Sequence, residues 1–204
     1  MNNKTENKLT DQQLVKEVLR GNTYAFGTLI KNTEGLVAHI VYKMIFHPED
    51  RKDIAQDVYL KAYKNLPNFK FEAKLSTWIG QITYNTCLNF LEKKKIVLLQ
   101  DPIHNDEMGE ESLEMINTKP LSISDNDTEI LIFKEQLSEI LQAEIEKLSP
   151  IYKTLITLFH QAELSYEEIA QITMLPEGTI KNYLFRARKT LKDNLLLKYK
   201  KEEL

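Results

Sequence analysis

Between residues 177 and 192 the chain concentrates hydrogen-bond donors and positive charge. Lys181, Arg186, Arg188, Lys189 and Lys192 supply cations, and Asn182 and Phe185 stand among them. Cationic side chains hold phosphates, and those that reach base edges read sequence, so this stretch suits binding to nucleic acid. Residues for covalent or metal chemistry are not grouped in this way. The four histidines (His39, His47, His104, His160) are scattered, with no His-x-x-x-His pair to hold a metal on one helix face. Cys87, between Thr86 and Leu88, reads as a buried structural thiol rather than a nucleophile. There is no glycine-rich phosphate loop. The expectation is a binding protein with no catalytic residues, no metal and no cofactor, not an enzyme.

Two short helices must position the basic face. Ser165 followed by Glu168 is a capping box that opens the first, and Ile169, Ala170 and Ile172 give it an apolar face. Pro176, Glu177 and Gly178 break that helix and open the second, since proline suits a first turn and not an interior. The second buries Ile180, Leu184, Ala187 and Leu191, spaced four, three and four, which is one helical face. Taken alone, a basic amphipathic helix also fits a solvated lysine-rich surface. Two helices with a tight turn and a basic free face on the second describe a DNA-binding helix-turn-helix. The stretch LSYEEIAQITMLPEGTIKNYLFRARKTL resembles the C-terminal helix-turn-helix of extracytoplasmic-function (ECF) sigma factors. Ser165 to Ala170, Pro176 to Lys181, and Arg186, Ala187, Arg188 and Leu191 match that family's run. The resemblance implies minus-thirty-five contacts from Glu177, Gly178, Thr179 and Lys181, then from Asn182, Phe185, Arg186 and Lys189. Met174 stands where the family's turn usually has glycine, so the turn here is either slightly strained or built differently.

A net charge of −3 is low for a DNA binder, but the charge is segregated. Residues 176–201 hold eight basic and two acidic side chains, a local +6, whereas residues 100–129 hold nine acidic and one basic, a local −8. A local patch sets attraction to phosphate, whatever the total. No run of about 18 apolar residues is present to span a membrane. The polar start MNNKTENKLT does not read as a signal peptide, and a single cysteine fits the cytoplasm.

Helical periodicity recurs along the chain and period-two alternation does not, so the expected fold is all-α. Residues 1–9 read as a tail. Thr10 with Gln13 opens a short helix to Leu19, stopped by Gly21. A second helix runs from Thr23 to about Phe46, with Gly35 as a candidate bend. Pro48 starts a third, with Ile54, Val58 and Ala62 inside, which Pro67 ends. Ser76 and Thr77 open a fourth to Lys95. Residues 96–126 are acidic and aperiodic. Helical spacing returns from Asp127, and Ser149-Pro150 caps the next helix. The expected organisation is two small helical domains, residues 10–95 and 127–198, joined by a flexible acidic linker over 96–126.

Residues 23–95 carry two further constellations. The helix HPEDRKDIAQDVYLKAYKNL shows Asp53, Gln56, Asp57 and Leu60 on its outward face, an arrangement that also suits an ordinary charged surface. It resembles the second conserved region of sigma factors, with its Asp-x-x-Gln-(Asp/Glu)-Val-aromatic-Leu run, and these four residues match. The resemblance implies docking on the β′ clamp helices of core RNA polymerase. In the segment from Asn68 to Asn85, Phe69, Phe71, Trp78 and Tyr84 lie beside Lys70 and Lys74. Rings stack on unpaired bases and ammonium groups hold phosphates, but core packing is the alternative, and for Trp78 the favoured one. In the family this loop captures a flipped base of the melted minus-ten element and the next helix reads its neighbours. The resemblance therefore implies minus-ten roles for Asn68, Phe69, Lys70, Phe71 and Lys74. It implies the same for Ser76, Thr77, Gln81, Tyr84 and Asn85. Tyr84 stands where a basic residue is common.

The resemblance covers residues 10–95 and 130–195 in the family's order. It implies a sigma factor that brings core RNA polymerase, through its β′ clamp helices and β flap, to promoter DNA, with an anti-sigma factor as a further partner. A response regulator would need an alternating βα receiver domain, and residues 1–95 show none. A helical adaptor that binds polymerase without DNA would not need the basic helix face. The linker generates one prediction. A relaxed 31-residue coil spans about 30 Å, whereas promoter elements two helical turns apart are separated by roughly 70 Å. Acidic side chains lying in a basic polymerase channel would offset the cost of stretching. Replacing Asp106, Glu107, Glu110, Glu111 and Glu114 by Asn or Gln is therefore expected to weaken holoenzyme and alter abortive-transcript yield at low salt.

Overall fold

Four of the helices begin behind a side-chain cap, at Thr10, Asn22, Ser149 and Ser165. The computed structural model describes residues 10–93 and 137–198, and every regular element among them is helical. Helix α1 spans Asp11–Leu19; Thr10 accepts from the Gln13 N–H and the Gln13 side chain returns to the Thr10 N–H, completing the capping box. Gly21 takes φ 87° and turns the chain, a conformation glycine adopts at no steric cost. Helix α2 spans Thr23–Met44 and runs through Gly35. Helix α3 spans Pro48–Asn65 with proline at its start, and a 3₁₀ turn, Leu66–Asn68, carries Pro67. Helix α4 spans Leu75–Lys93. Its first N–H, on Leu75, donates to the Asp11 carboxylate at 2.9 Å, which ties α4 to α1 and sets an anion at a helix N-terminus.

The second group begins with α5, helical over residues 137–145. Helix α6 spans Pro150–His160 behind its Ser149 cap, α7 spans Tyr166–Thr173 behind the Ser165–Glu168 capping box, and α8 spans Glu177–Lys198. Residues 1–9, the whole of the acidic linker, and the helical start expected from Asp127 to 136 lie outside the described residues, as do Lys94 and Lys95.

The apolar stripes converge. In the first group Leu29, Ile40, Val58 and Ile79 are fully buried; in the second Leu158, Ile169, Ile180, Leu184 and Ala187 are. The two groups also pack on each other, α2 against α6 and α4 against α7, so one continuous core joins them. Gly80, inside α4, is the point of closest fit. A Cβ there would lie 3.0 Å from Cδ1 and Cγ1 of Ile172 and 3.2 Å from Cδ2 of Leu36. Glycine within a helix costs about 1 kcal/mol relative to alanine, and the bare backbone is what admits Ile172. Ion pairs rim the contact. Lys43 of α2 pairs with Glu146, which Lys153 also reaches at 3.4 Å. Burial acts to raise the Glu146 carboxyl, but Lys43 and Lys153 outweigh it and lower its pKa overall.

Lys74 meets Glu168 at 2.8 Å. The Lys74 contact, with the Ser165 N–H, lowers the Glu168 pKa below its ordinary 4.5. A lowered carboxyl pKa stabilises the folded chain above the ordinary value, and that support is lost as pH falls through the folded value. The cap of α7 generates a prediction. Ser165→Ala removes the acceptor for the Glu168 N–H and should cost about 1 kcal/mol, a Tm lower by roughly 2–4 °C, checked by thermal unfolding of the full chain.

Candidate nucleic-acid interface

The turn between α7 and α8 is set by Met174, which adopts the left-handed conformation, φ 58° and ψ 23°, at the end of α7. A non-glycine side chain is uncommon there, so the strained alternative is the one found. Its sulfur accepts from Gln81 Nε2 of α4 at 2.7 Å. Beyond the turn, α8 buries Ile180, Leu184, Ala187 and Leu191 and leaves its other face free. Glu177, Gly178, Lys181, Asn182, Phe185 and Lys189 are exposed; Thr179 and Arg186 are half-buried. Lys181 lies 3.7 Å from Glu177 and over the Tyr166 ring at 5.3 Å, loose contacts that leave its charge available. Arg188 is placed differently. Its guanidinium sits 5.2 Å from the Phe159 ring and within 3.4 Å of His160 Nε2. Burial first, then Arg188, lowers the His160 pKa. Arg188 thus braces α8 against α6.

On α3, Asp53, Gln56, Asp57 and Leu60 are all exposed along one stripe, opposite buried Ile54, Val58 and Ala62. Leu60 is 59% exposed, an apolar knob beside the 2.7 Å Asp57–Lys61 pair.

The aromatic loop divides. Phe69 is buried, its ring 5.0 Å from Trp78 and 4.6 Å from Phe71. Phe71 is 42% exposed and takes a left-handed φ of 59°. With Gln12, Val15, Lys16, Leu19 and Arg20 it lines an open cleft of about 440 Å³. Asn68, Lys70, Lys74 and Asn85 are exposed, Ser76 and Gln81 half-buried. Thr77 and Tyr84 are buried. Burial pushes the Tyr84 hydroxyl up to about 12, with Tyr183 nearby. Trp78 is half-buried. The Cys87 thiol is fully buried and pushed up to about 12, a poor nucleophile.

Sequence reasoning missed Gly80, whose only signal is a glycine in an otherwise sound helical pattern, and the burial of Tyr84, which lies near Tyr183 of α8. Among the described residues no His, Cys, Asp and Glu cluster could hold a metal, and no helix is long and apolar enough to cross a membrane.

Residues 29–96 match the family described as sigma-70 region 2, and residues 138–191 match sigma-70, region 4. The ECF RNA polymerase sigma-E factor of Escherichia coli is 33% identical over 184 residues, covering 90% of this chain and 93% of its own length. That of Haemophilus influenzae is 30% identical over 189 residues, covering 92% and 96%. SigW of Bacillus subtilis is 30% identical, covering 89% and 94%. Two solved structures share the fold. CnrH in complex with the cytosolic domain of CnrY has a TM-score of 0.59 at 17% identity, covering 93% of this chain and 99% of its own. RpoE of Bartonella quintana in complex with the anti-sigma factor NepR has a TM-score of 0.53 at 24% identity, covering 85% and 97%.

The two arginines of α8 should separate. Arg188→Ala removes packing between α6 and α8 and is expected to lower Tm by a few degrees. Arg186→Ala should leave Tm unchanged and weaken duplex binding by about 1–3 kcal/mol if it reads a base. Thermal unfolding and duplex titration of both variants check this.

Proposed function

Because the chain belongs to the extracytoplasmic-function family of sigma factors, we propose that three of its faces divide the work of promoter recognition. The chain directs core RNA polymerase to promoter DNA and initiates transcription with it. In our reading residues 10–95 bind polymerase and the minus-ten element, residues 127–198 bind the minus-thirty-five element, and residues 96–126 link them. The chain acts in the cytoplasm and has no chemistry of its own: it supplies recognition, and polymerase supplies catalysis.

The stripe Asp53, Gln56, Asp57 and Leu60 docks on the β′ clamp helices. An apolar knob ringed by carboxylates and an amide suits a protein partner. The β flap takes the second domain. The N-terminal half of α8 enters the major groove, and Lys181, Asn182 and Arg186 reach the bases or their phosphates. Phe71 and the cleft beside Lys16 and Arg20 receive an unstacked base of the melted minus-ten strand, and Lys70 and Lys74 hold its phosphates. Like the RpoE solved with NepR, the chain has an anti-sigma factor as a partner.

The observation that carries this reading is the simultaneous exposure of the α3 stripe and the α8 basic face on one chain. Leu60→Asp or Asp57→Lys should weaken association with core polymerase at least tenfold while the full chain still binds a minus-thirty-five duplex, because an interface core tolerates a misplaced charge poorly. Phe71→Ala in holoenzyme should leave polymerase binding intact and reduce promoter opening. Co-purification and opening assays at the wild-type level would contradict the assignment.

A further inference from the structure

Among the described residues, sulfur occurs at two buried positions and one exposed position. The Cys87 thiol is fully buried and pushed up to about 12 by that burial, so the thiolate that oxidants ordinarily attack is withheld. Met44 is 3% exposed, within the core. Met174 is 67% exposed, at the turn between α7 and α8. It holds a left-handed φ of 58°, where a side chain is uncommon. Its sulfur also serves as an acceptor, taking a hydrogen bond from Gln81 Nε2 at 2.7 Å. A thioether is a weak acceptor. A sulfoxide is polar and presents an oxygen, which is a stronger one. The unbranched side chain has the rotatable bonds to withdraw and place that oxygen against Gln81.

We propose that Met174 is an oxidation site, and that its sulfoxide holds Gln81 more firmly than the thioether does. The oxidant is of the peroxide class. A lone pair of the Met174 sulfur attacks one peroxide oxygen, and the O–O bond breaks as the S–O bond forms. Sulfur is oxidised by two electrons and the peroxide is reduced. The departing hydroxide takes the proton from the transferred oxygen and leaves as water. The chain thereby registers an oxidant without a reactive thiol, at the turn that sets the entry of α8. The change is reversible, because sulfoxide reductases restore the thioether. A glycine at this turn would accept the backbone conformation and carry no sulfur, so the response belongs to the methionine.

The test uses the full-length chain with Met108 and Met115, which lie outside the described residues, replaced by leucine. Limiting hydrogen peroxide should add one oxygen to the Met174 peptide at least about tenfold faster than to the Met44 peptide, because susceptibility follows exposure. The side-chain amide signal of Gln81 in the isotope-labelled chain reads the consequence. Met174→Gly accepts the left-handed turn and has no sulfur, so it supplies the Gln81 signal without the contact. On oxidation the Gln81 signal should move to lower field, away from that reference. The Met174 amide, which donates to the Ala170 carbonyl, should exchange about threefold more slowly, the scale of a modest gain in one hydrogen bond. Sulfoxide reductases of both epimer specificities should reverse the two changes. Equal oxidation of Met174 and Met44 overturns the site. A Gln81 signal that stays in place, or that moves to its Met174→Gly position, overturns the firmer hold. Thermal unfolding confirms that the oxidised chain and the variant are folded, and Met174→Leu supplies the reference if the glycine variant is not.

Discussion

The meeting of Ile172 with the bare backbone of Gly80 is the constraint on which the arrangement depends. Interiors pack at near-crystalline density, so one absent side chain decides whether two helices can touch. A methyl at Gly80 would press on Ile172 at 3.0 Å. Without it, α7 seats on α4 and the two helical groups share a core. The polar contacts around this seat are secondary. Lys74–Glu168 is largely exposed on its lysine side, and such pairs contribute little to stability. Their value is directional: they fix which residues of α4 are occupied.

Charge follows the same division of labour. Lys181 of α8 makes only loose contacts, whereas Arg188 is spent on Phe159 and His160. On α3 the carboxylates are kept at the rim of an exposed leucine, a pattern for a protein surface rather than for DNA. The stripe from Asp53 to Leu60 thus differs in chemistry from the basic face of α8, and the small net charge of the chain reflects the acidic residues 100–129 rather than a weakly charged α8.

Local signals were legible wherever a residue type dictates its own geometry. Thr10 with Gln13 and Ser165 with Glu168 form the capping boxes that their spacing implies, Gly21 turns the chain after α1, and Pro48, Pro150 and the Pro176–Gly178 break mark helix starts. The inward and outward faces of α3 and α8 follow from a period of 3.6, so the stripe from Asp53 to Leu60 could be read directly. What could not be read was packing between elements distant in sequence. Periodicity says that Tyr84 lies on a helix face but not that another helix covers it. The fates of Phe69 and Phe71, left open by the sequence, differ: Phe69 packs on Trp78 and is buried, whereas Phe71 stays 42% exposed. At Met174 the sequence showed a departure from the family's glycine, and the compensating contact with Gln81 comes from a residue 93 positions away.

Hydrogen exchange of the full-length chain, alone and with saturating core polymerase, tests most directly whether the α3 stripe is the docking face. Amides around residues 53–60 should exchange more slowly in the complex than in the free chain. Unchanged exchange at 53–60 under conditions where the complex is fully formed would contradict the account.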